Sequence, residues 1–405
     1  MTRIWTTNAR TEPDSKGLAY TEDSTEKVVT KERIQAAGKR LVVKLGTSTI
    51  CDDSGVLDPD YLAGLAAQVA DLVKRKAEVV IVSSGAIRAG LDLLDLPHQP
   101  RAIALKQAAA AVGQSRLMQM YATAFAQRSL KVAQLLLTRD DFHDRRRYVH
   151  AGNTLRALLK LGVIPIINEN DTIAVDEIKV GDNDSLAALV AGLVGAHLLV
   201  LLSSGIDGLH TGDPTLDPEA RLIPRVTDLD EIKRHVGASA SDWGTGGMRT
   251  KIEAASLCMR SRIPMVIANG RKPGILAAVL DGREGTLFEP PVVGKMPARK
   301  RWIAGGQRPA GVITVNDGAC DQLLHCGRSL LPAGIIAVQG DFHAGDIVVV
   351  EDAIGDPIGR GIVNYDHATL REIMGKQTAE VHSLYGGEVS DEVIHRDNLV
   401  MVVRD

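Results

Sequence analysis

Aromatic residues make up only 3% of this 405-residue chain. Cores built on ring stacking are thereby excluded, and Ala, Val, Leu and Ile must fill the interior, as they do between α/β layers. Cysteine is equally sparse. The four present, Cys51, Cys258, Cys320 and Cys326, include no CxxC pair and no neighbouring His-x-His. That spacing excludes a disulfide framework and a zinc knuckle, and it predicts free thiols in a reducing, cytoplasmic setting. No apolar run approaches the roughly 18 residues needed to cross a bilayer. Charge of one sign is also lacking: 47 Lys and Arg against 50 Asp and Glu give −3, so nothing global points to a polyanion partner. The first 40 residues contain no apolar segment suited to a secretion signal. Glu12, Asp14, Glu22, Asp23 and Glu26 argue against an organelle transit peptide.

What is present is an ordinary globular composition, 45% hydrophobic and 24% charged, in a chain long enough for two or three domains. Residues 1–38 read as a loosely ordered extension without identifiable chemistry. From Lys39 onward, strand, glycine turn and helix repeat. Apolar runs predict strands at 41–45, 79–83, 132–137, 163–167, 198–203 and 265–268. Helices are expected from Asp58-Pro59, an N-cap followed by proline at the first helical position, and at about 101–128, 149–161 and 250–262. The 198–203 run is apolar on both faces, as central parallel strands are. The alternation predicts an α/β fold, a mostly parallel sheet sandwiched by helices. Pro290, Pro291, Gly294 and Pro297 mark a linker at 290–297. Short apolar strands between glycine turns follow at 311–315, 335–338, 347–350, 358–363 and 399–403, which reads as a small β-barrel-like module over 298–405.

Polar residues cluster where those strands end. The run at 163–167 opens into Asn168-Glu169-Asn170-Asp171, and Gly181-Asp182-Asn183-Asp184 precedes an apolar helix. A turn and a helix N-cap would account for either cluster alone. Together they offer carboxamides and carboxylates that can hold an amino acid's ammonium and carboxylate. Gly244-Thr245-Gly246-Gly247-Met248-Arg249-Thr250-Lys251 leads into a helix. Its backbone N–H groups and helix dipole suit a phosphate, although the pattern is not Walker A, and a bare surface loop is the competing reading. Lys44 lies inside the first strand, one residue short of the turn Gly46-Thr47-Ser48. It is either a snorkelling edge lysine or a phosphate ligand at a strand's carboxyl end. Ser83-Ser84-Gly85-Ala86 closes the second strand at the same level. Two lysines with glycine amides meet the main need of phosphoryl transfer, positive charge around the moving group.

Lys44-Leu-Gly-Thr-Ser48, Ser83-Ser-Gly-Ala86, Lys106-Gln107 with Ala111-Val-Gly-Gln-Ser-Arg116, Asn168-Glu-Asn-Asp171, Lys179-Val-Gly-Asp-Asn-Asp184 and Gly244-Thr-Gly-Gly-Met-Arg-Thr-Lys251 closely resemble the amino-acid kinase family, in the branch acting on free glutamate. The resemblance covers about residues 39–289, and the tail resembles a PUA domain. It implies the amino-acid kinase fold and ATP-dependent, Mg²⁺-requiring phosphorylation of the L-glutamate γ-carboxylate, the first step of proline synthesis. By resemblance, Lys44 and Lys251 would contact the transferring phosphoryl group, and Asp184 would hold both lysines. Ser84, Gly85, Asn168, Asp171 and Asn183 would bind glutamate. Lys44, Ser204, Gly205, Thr245, Gly246, Gly247, Met248, Arg249, Thr250 and Lys251 would line the nucleotide site. No metal ligand set in the protein is expected, although Asp182 would assist or meet Mg²⁺ through water. The family's usual aspartate falls on Gly205, which removes one expected nucleotide contact.

The resemblance also implies a dimer or tetramer and feedback inhibition by proline. Rival readings are a related kinase for N-acetylglutamate, carbamate or isopentenyl phosphate, and an RNA-binding protein built on the PUA module. Residues 298–405 carry ten Lys and Arg against fifteen Asp and Glu, a balance of −5, which serves phosphate-driven RNA binding poorly. Arg299-Lys300-Arg301 reads as a solvated linker rather than a basic patch.

Overall fold

In a computed structural model, described for residues 39–52, 54–96, 100–173, 183–214, 216–229, 232, 246–290, 296–305, 309–385 and 389–401, eight strands form the larger sheet. In chain order the elements are β1 (Arg40–Leu45), α1 (Thr47–Ile50), α2 (Pro59–Lys74), β2 (Glu78–Ser83), α3 (Ala86–Leu93) and α4 (Ile103–Ala126). Then come β3 (Lys131–Leu137), α5 (Arg139–His143), α6 (Arg145–Lys160), β4 (Val163–Glu169), α7 (Asn183–Val194) and β5 (Leu198–Ser203). Two-residue strands follow, β6 (Leu209–His210), β7 (Leu222–Ile223) and β8 (Arg225–Val226). After them lie α8 (Gly246–Arg260), β9 (Met265–Asn269), α9 (Ile275–Leu280) and β10 (Thr286–Phe288). The sheet order is β3-β4-β2-β1-β5-β9-β10-β8. Every pairing in it is parallel except β9 with β10.

The α2 start follows its sequence signal: Asp58 accepts the Tyr61 N–H at 2.9 Å and Pro59 opens the helix. Side-chain alternation along the strands divides the core in two. Leu41, Val43 and Leu45 pack with Leu62 and Leu65 of α2 and with Leu117 and Tyr121 of α4. Val42, Val82 and Leu201 face the other way, against Leu186, Ala187 and Val190 of α7 and Ala254 of α8. Lys44 has the parity of Val42, so its side chain emerges on the α7/α8 face. β2 and β5 flank β1 in register, Lys44 beside Val82 and Leu201. The carboxyl ends of β1, β2 and β5 therefore lie level.

Helices α3 and α4 meet through glycine. A Cβ on Gly113 would strike the carbonyl oxygen of Ala86, and one on Gly90 would strike that of Ala109. No side chain fits at either contact, so backbone rests on backbone.

The second sheet has order β12-β11-β13-β14-β15, from β11 (Gly311–Val315), β12 (Ile335–Gly340), β13 (Ile347–Glu351), β14 (Pro357–Ile362) and β15 (Leu399–Met401). Between the sheets runs α10 (Ala298–Gly305), and three further helices, α11 (Asp317–His325), α12 (His367–Ile373) and α13 (Thr378–Tyr385), pack within the smaller unit. Arg299-Lys300-Arg301 is helical rather than a linker, although Arg299 stays exposed. These residues belong to α10, whose Trp302 and Ile303 are buried, and Arg301 Nε donates to Gly192 O at 2.7 Å. Ile347, Ile362 and Val400 of the second sheet join the same apolar cluster as α7, and Arg360 Nη1 donates to Ala304 O at 2.9 Å.

Trp302 anchors this junction. It is 5% exposed, its Nε1–H donates to Phe142 O at 2.9 Å, and its ring centroid lies 6.4 Å from that of Tyr148. Trp302→Ala is expected to cost about 3–5 kcal/mol, the usual range for a buried aromatic. Urea unfolding of the purified chain measures it, and a loss below about 1 kcal/mol, the level of an exposed site, would contradict the anchoring.

Candidate active site

Asp184 sits in the first turn of α7, 3% exposed, where a carboxylate also suits the helix dipole. Its Oδ1 pairs with Lys44 Nζ at 2.6 Å and its Oδ2 with Lys251 Nζ at 3.0 Å. Thr250 Oγ1 donates to the same Oδ2 at 3.0 Å and also reaches Gly247 O at 2.9 Å. Lys251 Nζ has a further acceptor in Gly247 O at 3.3 Å. Both lysines are only 8% exposed. Burial pushes the Asp184 carboxyl up, but the two ammonium groups and their hydrogen bonds outweigh it and hold it below the usual carboxylate range. Two cations share one anion, so the cluster carries net positive charge in a poorly solvated place. An anion is the ligand that completes it.

Next to this triad lies a carboxamide group. Asn183 Nδ2 donates to Ser84 Oγ at 2.7 Å and to Asn168 Oδ1 at 3.1 Å, and Asn168 Nδ2 donates to Gln114 Oε1 at 2.9 Å. Asn168, Asn183 and Gln114 are all buried. Ser84 is reached because β2 ends there, its N–H bonded to Leu45 O at 3.0 Å. Gly85 follows with φ 103° and opens α3; a Cβ there would press on Ile50 Cδ1. Asp171 lies just beyond β4, hydrogen-bonded to none of the described site residues. Burial pushes its carboxyl up to about 6.

The structure thus joins Lys44, Lys251 and Asp184 in one cluster and Ser84, Asn168 and Asn183 in another, with Asn183 and Asp184 adjacent in sequence. Ser204 and Gly205 follow β5 and line an open cleft of 810 Å³ with Thr47, Ser48, Arg88 and Arg271. Gly205 has φ 79° and open space where a side chain would stand. Gly246 and Gly247 begin α8. Met248 is partly buried against the α7-side core, whereas Arg249 turns outward to Glu253 at 3.1 Å. Thr245, Asp182 and Lys179 lie outside the described residues. Among the described residues, no group of three His, Cys, Asp or Glu side chains is placed to hold a metal ion, and no helix is long and apolar enough to cross a membrane.

One participant, Gln114, has no role in the sequence reading, and Thr250, expected to line the nucleotide site, also donates its hydroxyl to Asp184. Gln114 belongs to the Ala111–Arg116 motif; the glycine before it, where α3 and α4 touch, is the signal that marks this segment as closely packed.

The amino acid kinase family model matches residues 39–269, and the PUA domain model matches residues 311–385. A glutamate 5-kinase of Geobacter sp. (strain M21) is 50% identical over 366 residues, covering 90% of this chain and 98% of its own. The glutamate 5-kinase of Citrifermentans bemidjiense shows the same identity and coverage. That of Moorella thermoacetica is 47% identical over 366 residues, covering 90% of this chain and 96% of its own. With a sheet of parallel strands ending at this lysine-carboxylate cluster, and with such likeness along nearly its whole length, the chain belongs to the amino acid kinase family, among the glutamate 5-kinases, and carries a C-terminal PUA domain.

Proposed function

We propose that the chain transfers the γ-phosphoryl group of ATP to the γ-carboxylate of L-glutamate, giving γ-glutamyl 5-phosphate and ADP, at the site centred on Asp184. The observation that carries this reading is the pairing of two buried lysines, from β1 and α8, with opposite oxygens of one carboxylate. In the step itself, a γ-carboxylate oxygen attacks the γ-phosphorus while the bond to the β–γ bridging oxygen breaks and its electron pair leaves with ADP. Little covalent work falls to the protein. Charge on the equatorial and leaving oxygens must be met by donors already in position. Lys44 and Lys251 do this, and Asp184 keeps both ammonium groups aimed.

The glycine start of α8 supports a phosphate beside Lys251, and the cleft beside Ser204 and Gly205 supports room for a nucleotide. A cleft of 810 Å³ falls within the range of small-ligand sites. The missing carboxylate at Gly205 leaves Ser204 as the hydroxyl contact. Mg²⁺ is proposed to arrive with the nucleotide and to neutralise phosphate charge when bound. The proposal extends to a cytoplasmic, self-associating enzyme with proline as feedback inhibitor, and to a domain boundary at 290–297. The −5 balance of residues 298–405 supports a regulatory or structural role for that module. A coupled ADP assay over L-glutamate, N-acetyl-L-glutamate and carbamate tests the substrate; turnover of N-acetylglutamate without glutamate would reject the proposal.

Asp171 supplies a pH test. Its carboxyl, held up at about 6 by burial, is charged above that pH and attracts an α-ammonium, but is neutral below it. KM for glutamate is therefore expected to rise as pH falls through about 6, by roughly tenfold per unit. Glutamate's own side chain, with a pKa near 4.3, is still ionised there. Asp171→Asn is expected to raise KM about a hundredfold, the scale of an unpaired buried charge contact, and to abolish that acidic arm. Steady-state kinetics from pH 5 to about 8 decide it: an unchanged arm in the variant would place the titrating group elsewhere.

A further inference from the structure

We infer that Gln114 is a positioning residue that holds in place the polarity the Glu169 N–H gives to the amide pair carrying the amino acid; this deepens the glutamate reading above and rests on it. The argument starts from a backbone group. The N–H of Glu169 donates to Asn168 Oδ1 at 2.9 Å. A backbone N–H can only donate, so it dictates which end of Asn168 is oxygen. The Asn168 amide nitrogen must then point the other way, where it meets Gln114 Oε1 at 2.9 Å.

The polarity passes on. Asn168 Oδ1 takes its second donor from Asn183 Nδ2 at 3.1 Å, and the same nitrogen donates to Ser84 Oγ at 2.7 Å. Both hydrogens of Asn183 are consumed, which turns its Oδ1 away from Asn168. That oxygen is buried, on a residue 6% exposed, and has no hydrogen-bond partner among the described residues. A buried acceptor left open costs the fold free energy and marks a place where a donor is to arrive. An α-ammonium group, with three N–H bonds and a positive charge, is a ligand that fits. Reversing Asn168 would present an N–H to the Glu169 N–H and close the Asn183 acceptor, and the Gln114 oxygen opposes that reversal.

Gln114 is held for this task. It is 9% exposed on α4, directly after Gly113, whose missing side chain lets α4 rest on the carbonyl of Ala86 just past the Ser84 turn. A purely structural role would stabilise α4 without favouring one substrate over the other. The two roles separate in kinetics.

The test compares Gln114→Met and Gln114→Glu in the full chain. Methionine fills similar space with no acceptor, whereas glutamate keeps an accepting oxygen in either protonation state. Q114M is expected to raise KM for glutamate about tenfold, the upper range for one lost neutral hydrogen bond, while KM for ATP stays within about twofold. Q114E is expected to keep KM for glutamate within about threefold of the parent. Equal KM changes in Q114M and Q114E, or a parallel rise in both substrates' KM with a lowered melting temperature, would overturn the inference. If the parent chain phosphorylates N-acetylglutamate or carbamate rather than glutamate, the substrate reading fails separately. The same comparison then runs on that acceptor, where a split between Q114M and Q114E upholds the relay and its absence rejects it.

Discussion

Asp184→Asn is expected to lower kcat by about a thousandfold, which corresponds to roughly 4 kcal/mol of lost transition-state stabilisation. The asparagine is nearly isosteric but presents only one oxygen and no charge. In the parent, each carboxylate oxygen receives one lysine, and Oδ2 also receives the Thr250 hydroxyl. The variant turns an N–H either to Lys44 or to Lys251 and Thr250 together, so one ammonium is displaced in either case. It also leaves two cations, each 8% exposed, without their anion. Losing one partner of a buried ion pair costs roughly 3–5 kcal/mol of stability, so thermal unfolding should fall in parallel with rate. The pH dependence has a definite sign. A carboxyl held below its ordinary range contributes stability above the unfolded pKa, and that contribution is lost as pH falls through the lower folded value. Parent and variant should therefore converge in stability only in strong acid. Retention of more than about a tenth of parental kcat, less than 1.4 kcal/mol, would contradict the assigned role.

The lysines themselves provide the second large effect. Lys44→Met and Lys251→Met are each expected to reduce kcat by about a thousandfold, the upper range for one donor aimed at transition-state charge. KM for glutamate is expected to change less than about threefold, since an interaction made only in the transition state leaves ground-state binding alone. Arginine should not rescue either position. The planar guanidinium is larger and forked, and the space around each ammonium is closed by Asp184 and, for Lys251, by Gly247 O. The double variant should cost little more than either single one, because the two ammoniums act as one unit. Full additivity, near a millionfold by the same scale, would mean that they work independently and that convergence on one group is wrong.

The strands were legible because parallel central strands are buried on both faces and read as unbroken apolar runs. β1, β2, β4 and β5 fall within two residues of their expected limits. Short helices were not. The Thr47–Ile50 segment reads as a glycine turn, and Ala86–Leu93 hides behind Gly85, whose φ of 103° is invisible in sequence. α10 reads as a basic linker, since three consecutive cations outweigh Trp302 and Ile303 in any local pattern, yet tertiary contact buries those two. The three-residue antiparallel β10 carries no periodicity at all. At the site, residue types were enough to nominate Lys44, Lys251, Asn168, Asn183 and Asp184. The resemblance implied that Asp184 holds both lysines, as it does; the amide chain from Gln114 through Asn168 to Asn183 was not legible, because it depends on strand parity and on which face α7 covers. Thr250 shows the limit plainly: its place beside a glycine loop suggested phosphate, and only the position of Asp184 shows where its hydroxyl goes.

Trapping the product tests the central claim most directly. The parent chain, Asp184→Asn and Lys251→Met are incubated with L-glutamate, ATP, Mg²⁺ and hydroxylamine, and γ-glutamyl hydroxamate is measured with and without proline. The account predicts ATP-dependent hydroxamate from the parent and about a thousandfold less from either variant. ADP release without hydroxamate, or hydroxamate formed equally well by the variants, would show that the two buried lysines and their shared carboxylate do not deliver a phosphoryl group to glutamate.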